Sequence, residues 1–386
     1  MISRRLPPFA ERNALTRALD ARRGAGTPYV DLTASNPTRA GIPYPADLLA
    51  PLASPAALGY EPSAFGLPSA RMAVAAEYAR RGVTLDPGDI VLTASTSEAY
   101  TWLFKLLCNP GESVLVPRPS YPLFEHLTAL EGVAVETYRL EYHGRWEIDL
   151  ADVRRASDRV RAVIVVSPNN PTGSFVSSRE ADALMAVCRE RGWALIADEV
   201  FVEYPLEVER PRTDLAAGAS CLAFTLGGLS KALGLPQLKL GWIIAGGPAA
   251  ERSAALAALE LIADSFLSVG TPVQVALPAL LARGASSRHA IQARVRANLD
   301  SLRAEAARHP ACEVLRVEGG WTAVIRVPAI RPEERIALDL LEGAGILVHP
   351  GYFFDFEREA YIVVSLLVPE EQFTPAVTRV LSETAG

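Results

Sequence analysis

Lysine is nearly missing from this 386-residue chain: of 38 basic residues only Lys105, Lys231 and Lys239 are lysine, and the other 35 are arginine. Arginine therefore serves wherever a positive charge is enough, and each retained lysine becomes a candidate for chemistry that needs an amine able to lose its proton. Cysteine is sparse too. Cys108, Cys188, Cys221 and Cys312 lie far apart without CxxC or Cys/His spacing, which argues against a zinc site or a disulfide framework and reads them as small core residues. No metal is expected. No apolar run reaches membrane-spanning length without a charge, Pro or Gly, and the first thirty residues lack the apolar core and cleavage site of a leader, so a cytoplasmic protein with no membrane partner is expected. The net charge of −6 is mild and scattered, and without a basic patch no nucleic-acid partner is expected. No GxGxxG follows the first buried strand, which argues against a dinucleotide-binding oxidoreductase.

What is present is enough apolar residue, 49%, over enough length for two domains, each with its own core. Short apolar runs at 90–93, 113–116, 160–166, 194–197, 222–226 and 242–245 predict buried strands. Helical patterns at 97–108, 121–131, 178–191 and 248–283 fall among or after them. The alternation predicts an α/β fold, a mostly parallel sheet covered by helices, with ligands at the carboxyl ends of its strands. After about residue 285 the texture changes to a long helix at 286–308, short strands at 313–317, 322–327 and 361–366, and helices at 333–343 and 370–383. We expect a large domain at 46–285 and a smaller α+β domain formed by 1–45 with 286–386. The proline-rich stretch 37–55 is the crossover between them.

Four motifs sit at predicted strand ends. Gly228-Leu-Ser-Lys231-Ala-Leu-Gly-Leu-Pro236 puts one of the three lysines on a Gly-flanked turn. In Ala194-Leu-Ile-Ala-Asp198-Glu199 an apolar strand runs straight into carboxylates, and Asp198 there either caps the next segment or faces a cation. Ser167-Pro-Asn-Asn170-Pro-Thr-Gly173 is a turn by composition, but a turn does not require two asparagines. Thr93-Ala-Ser95-Thr96-Ser97 closes a strand and opens a helix, where hydroxyls and free N–H groups can cap the helix or receive an anion.

The order Asn-Asn-Pro-Thr-Gly, Asp-Glu after a strand, then Ser-Lys-x-x-Gly-Leu-Pro resembles the class I/II aminotransferases, fold-type I pyridoxal-phosphate enzymes of the aspartate aminotransferase-like kind. The resemblance covers nearly the whole chain. It implies a seven-stranded-type sheet in the large domain, pyridoxal 5'-phosphate as cofactor, and ping-pong transfer of an amino group from an amino donor to a keto acid. By resemblance, Lys231 is the catalytic lysine that holds the cofactor as a Schiff base, Asp198 the partner of the pyridine nitrogen and Asn170 the donor to the ring oxygen. Ser95, Thr96 and Ser97 match the phosphate-cradling turn and Tyr121 the aromatic stacked on the ring. Tyr60 matches a tyrosine that reaches the phosphate of a neighbouring subunit, which implies a homodimer with shared active sites.

The chain also departs from the family pattern. Lys239 stands where an arginine usually meets the phosphate, and Gly228 where many relatives carry a serine. Phe201 replaces a tyrosine whose hydroxyl usually touches the ring oxygen, so Asn170 should act more nearly alone and the Schiff-base pKa should rise. The family normally has a carboxylate-binding arginine near Val363, yet the strand Tyr361-Ile-Val-Val-Ser365 is apolar there. Ser35, Asn36 and Arg358 are candidate substitutes for that contact, unless the donor is not a standard α-amino acid. Trp321, Tyr352 and Phe353 are candidate pocket residues that read more readily as core. The competing functions are a non-transaminating enzyme of the same fold, a C–S lyase or amino-acid cyclase, and a silent cofactor-binding regulator. The regulator is disfavoured because only about thirty residues precede Asn36-Pro37, too few for a winged helix.

Overall fold

The computed structural model describes residues 2–3, 5–6, 12–207, 215 and 217–385. Its strands run in chain order as β1 (Val30–Asp31), β2 (Ile90–Thr93), β3 (Ser113–Arg118), β4 (Ala134–Tyr142), β5 (Trp146–Ile148), β6 (Val160–Val166), β7 (Ala194–Asp198), β8 (Ala223–Gly228), β9 (Gly241–Gly246), β10 (Glu313–Val314), β11 (Thr322–Arg326), β12 (Ile346–Leu347), β13 (His349–Pro350) and β14 (Tyr361–Ser365). Among the described residues the central sheet has eight strands in the order β2-β9-β8-β7-β6-β3-β4-β5. The block from β8 to β4 is parallel, while β9 and β5 pair antiparallel with their neighbours. β7 and β8 are buried at every position, as expected of parallel strands covered on both faces, which read as continuous apolar runs rather than alternation.

The sequence expectation of seven strands is one short. The added edge strand, β5, is only three residues long and pairs with the C-terminal part of β4 through the register Leu140↔Ile148 to Tyr142↔Trp146. β4 itself alternates apolar and charged residues, so no buried run marks it. The helical stretch expected over 248–283 is two helices, Ala249–Asp264 and Thr271–Arg283. Between them Leu267 adopts a left-handed backbone, φ 47°, and Pro272 follows at the start of the second helix, where its missing N–H costs no hydrogen bond.

A second, four-stranded sheet, β10-β11-β14-β13, is antiparallel. The N-terminal segment joins this part of the molecule: β1 pairs in parallel with β12, Val30↔Ile346 and Asp31↔Leu347, and the Ser365 N–H donates to Leu32 C=O at 2.6 Å. One buried cluster takes Leu15, Leu32 and Ile42 together with Leu299, Ile325 and Phe373. At roughly 1.5–3 kcal/mol for each fully buried large aliphatic side chain, this shared core ties the chain's two ends together far more strongly than a two-residue ladder. Cys188 and Cys221, 33 residues apart in sequence, meet in another cluster. The Cys221 thiol lies within hydrogen-bonding reach of Cys188, whose pKa is raised by that bond and by burial. All four cysteines are free thiols. Among the described residues no helix is long and apolar enough to cross a membrane, and no cluster of His, Cys, Asp and Glu could hold a metal ion.

Candidate active site

Parallel strands deliver their carboxyl ends to one edge of the sheet, and there a cavity of about 280 Å³ opens, near the lower end of the ~300–1,000 Å³ usual for ligand sites. Asp198 is the last residue of β7 and Val166 the last of β6. Lys231 stands in the single helical turn Leu229–Ala232 after β8. The strand beneath that turn needs glycine: a Cβ on Gly227 would lie 2.7 Å from Cε2 of Trp242 on β9. The Tyr204 hydroxyl fixes the turn by donating to Lys231 C=O at 2.6 Å. The Lys231 amine faces two aromatic rings, 5.1 Å from the Trp321 centroid and 5.4 Å from that of Phe201.

Asp198 is buried, 9% exposed. The Val200 N–H donates to its Oδ1 at 3.1 Å and the Tyr100 hydroxyl to its Oδ2 at 2.9 Å. Burial raises its pKa, opposed by those two hydrogen bonds and by the charge of Lys231. Lys231 is shifted the other way, lowered by desolvation and only partly restored by Asp198. Each group thus carries its charge at a cost. A cation placed against Asp198 would relieve one side of that cost.

The two asparagines separate cleanly. Asn169 holds the turn, its Nδ2 donating to Pro119 C=O at 3.1 Å and to Thr172 Oγ1 at 2.9 Å. Asn170 faces the cavity, and its Oδ1 is buried without a partner. Thr96 and Ser97, also on the wall, begin the helix Thr96–Leu107, whose N-cap Ser95 accepts from the Glu98 N–H at 3.2 Å. Ser95 itself is spent on the cap rather than on the cavity wall. The free N–H groups of that first turn and the positive end of the helix dipole suit an anion.

Tyr121 and Ser35 also reach the cavity. The other expected site residues do not line it. Lys239 is exposed with φ 50°, two residues before Gly241, whose backbone pairs with Thr93 beside the helix start. Asn36 turns away to cap a short 3-10 helix, its Oδ1 accepting from Thr38 N–H at 3.1 Å and Thr38 Oγ1 at 2.8 Å. Arg358 lies in a separate cleft with Arg118, Arg139 and Phe356, because the loop that carries it leaves the cavity after Phe354. Tyr60 is 75% exposed and borders another small cleft with Thr271 and Gln274. Of the aromatic candidates, Trp321 lines the cavity and its Nε1 is buried without a partner, whereas Tyr352 and Phe353 stay outside it. Tyr100, Phe201 and His349 are wall residues too. For Tyr100 a signal existed, since it stands one helical turn after Thr96 on the same face; for His349 none did.

A lysine, a carboxylate, an amide and a helix N-terminus around one cavity match the donor set for a phosphorylated, cationic ring carrying an aldehyde. Residues 51–380 match the family model described as aminotransferase class I and II, and the chain belongs to that family, an enzyme that transfers amino groups. It is 26% identical over 371 residues to the glutamate-pyruvate aminotransferase AlaA of Haemophilus influenzae, covering 92% of this chain and 90% of that one. With an alanine aminotransferase of Mycobacterium tuberculosis it shares 27% identity over 370 residues, 92% of this chain and 85% of that one. Among solved structures an aminotransferase from Escherichia coli superposes with a TM-score of 0.87 at 23% identity, covering 100% of this chain and 99% of that chain. A single mutant of the aspartate aminotransferase of Thermus thermophilus gives 0.83 at 25%, covering 98% and 99%.

Proposed function

We propose that this chain is a pyridoxal 5'-phosphate-dependent transaminase in which Lys231 binds the cofactor covalently and moves the proton, with an amino acid as donor and a keto acid as acceptor. The observation that carries the assignment is the pairing of two desolvated groups of opposite charge, Lys231 and Asp198, on one cavity wall. The orphaned Trp321 Nε1 supports a polar ligand in the cavity, since its N–H lacks an acceptor.

When bound, pyridoxal phosphate supplies an electron-withdrawing ring that makes the hydrogen on the donor's α-carbon acidic. Asp198, oriented by Tyr100 and Val200, would hold a proton on the ring nitrogen. Lys231 Nζ, its pKa lowered by burial, is a competent nucleophile and then a base for the α-proton. Asn170, through its Nδ2, would donate to the ring oxygen, and Tyr121 would cover the ring face. Thr96 and Ser97 would hold the phosphate at the helix start that Ser95 caps, with Lys239 as a point charge from the turn before β9.

The quaternary reading is a homodimer. Leu58, Tyr60, Leu261 and Phe266 are 90%, 75%, 74% and 52% exposed, an apolar surface that favours cover by a second copy, and Tyr60 would then enter the partner's site. The division into bodies at 46–285 and 1–45 with 286–386 belongs to this proposal as well. Four free cysteines suit a reducing compartment such as the cytoplasm.

The test is Lys231→Ala. Turnover should fall by at least about 10³-fold, and the visible band of the bound cofactor should vanish while the fold persists by circular dichroism. A variant that keeps both turnover and band would remove Lys231 from the role. Transfer to a keto acid, against release of ammonia, separates a transaminase from a lyase.

A further inference from the structure

Among the described residues on the cavity wall, Lys231 is the only lysine or arginine, and its amine is committed to the cofactor in the reading above. Yet an amino-acid donor brings a carboxylate that must leave water, and an unmatched buried carboxylate is costly. The wall contributed by β13 and β14 is where the structure offers an alternative. His349 and Val363 are direct partners in that antiparallel pair, so both side chains point to the same face, and both line the cavity. Two of the neighbouring hydroxyls, those of Ser365 and Thr33, are already engaged. Ser365 Oγ donates to Ala34 C=O at 2.6 Å, and Thr33 Oγ1 donates to Asp31 Oδ1 at 2.5 Å. The His349 ring is flanked by Phe353 and Phe354, each 5.6 Å away between centroids, and no hydrogen bond holds its nitrogens among the described residues.

We propose that His349 receives the substrate carboxylate, donating a ring N–H where Val363 leaves the adjacent strand without a charge. This rests on the amino-acid reading above. The consequence is a clamp that depends on pH, unlike a guanidinium. Burial lowers the imidazole pKa below its ordinary 6.5, with Asp31 on β1 pulling the other way. The remaining groups facing it are few. β14 presents Val363 and Ile362, without charge. The helix packed on β13 begins with Glu333, whose carboxylate is occupied by the N–H groups of Tyr352 and Tyr361 at 2.9 and 2.8 Å. Across the cavity stand Lys231, Asp198, Tyr100 and Tyr121. A carboxylate arriving at His349 raises its pKa, so binding takes up a proton, and affinity is greatest below the free-state pKa and declines as pH rises above it.

The experiment uses the holoenzyme and 3-phenylpropanoate, a carboxylate without an amine, with 3-phenylpropan-1-ol as the uncharged control. Binding is followed by calorimetry in buffers of different ionisation enthalpy. The wild type should bind the acid in preference to the alcohol, take up about one proton, and lose affinity about tenfold per pH unit above the His349 pKa. His349→Gln keeps an N–H donor but cannot titrate, so it should weaken acid binding roughly 10- to 100-fold at low pH and flatten the slope. His349→Arg should restore binding without the slope. Should a variant fail to fold, the His349 ring signal in the wild type serves instead, since its pKa must rise when 3-phenylpropanoate binds. An unchanged affinity and slope in His349→Gln, an unmoved ring pKa, or a wild type that prefers the alcohol overturns the assignment. None of these measurements requires turnover. A holoenzyme that no amino donor converts, yet still binds the acid through His349, would defeat the transaminase reading and leave this one standing.

Discussion

The two walls of the cavity are built on opposite principles. The wall at the ends of β6, β7 and β8 is short-range and polar, with Asn170, Asp198 and Lys231 each placed by the strand that ends one to four residues before or at it. The facing wall, from β13, β14 and the start of β11, presents Val363, Val364 and Trp321 with one imidazole. The first wall carries groups whose charges are shifted against each other by burial. The second is nearly silent electrically. On the reading proposed above, the chemistry would be confined to one wall, while the other would select what is presented to it.

Asp198→Asn strikes that contrast hardest, because it removes the charge and keeps the shape. With only Lys231 left as an ionisable partner, kcat/KM should fall by about 10³-fold, on the order of 4 kcal/mol of transition-state stabilisation. Steady-state kinetics on fully loaded enzyme decide it. A fall below tenfold would reduce Asp198 to a cap for the Val200 N–H and erase the distinction between the walls.

Tyr100→Phe tests the same wall more gently. Losing the 2.9 Å bond to Asp198 leaves a buried carboxylate with one fewer donor, a cost of about 1–3 kcal/mol. The sign with pH follows from the shift. Asp198 already has a folded pKa above its unfolded value, so its ionised form disfavours the fold as pH rises through that interval. Removing the tyrosine hydroxyl pushes the folded pKa higher still and widens the interval. Denaturant midpoints of the apoprotein should therefore drop more at pH 8 than at pH 4. An equal drop at both would mean that the hydroxyl serves packing alone.

The same contrast governs what could be read from the sequence. Lys231, Asp198, Asn170 and the helix start at Thr96 are local signals, each a residue type out of place at the end of an apolar run, and their meeting in one cavity follows from parallel strands sharing an edge. The far wall depends on contacts that no local window contains. Ser365 Oγ reaches Ala34 across 331 positions, Phe201 meets Trp321 edge to face at 5.2 Å, and His349 gains its place only through the register with Val363. Arg358 shows the converse error: it is near Val363 in sequence, but the chain turns it into another cleft. β4 escaped notice because its pattern is half-exposed alternation rather than an apolar run.

Phe201→Tyr sits where the two walls touch and has the smallest expected effect. The ring is 9% exposed, edge-on to Trp321, with the Lys231 amine 5.4 Å from its centroid. A para hydroxyl would add one donor to a cavity that already tolerates polar groups, so folding stability should change by less than about 1 kcal/mol. In the loaded enzyme that donor would join Asn170 at the ring oxygen and favour its anionic form. The midpoint of the visible-band pH titration should then fall by about one unit, equivalent to ~1.4 kcal/mol. The shift should be additive with the effect of His349→Gln if the walls act independently, and a double-mutant cycle measures any departure from that. An unshifted midpoint would place the hydroxyl outside reach of the ring and make Phe201 a packing partner of Trp321, moving it from the chemical wall to the selective one.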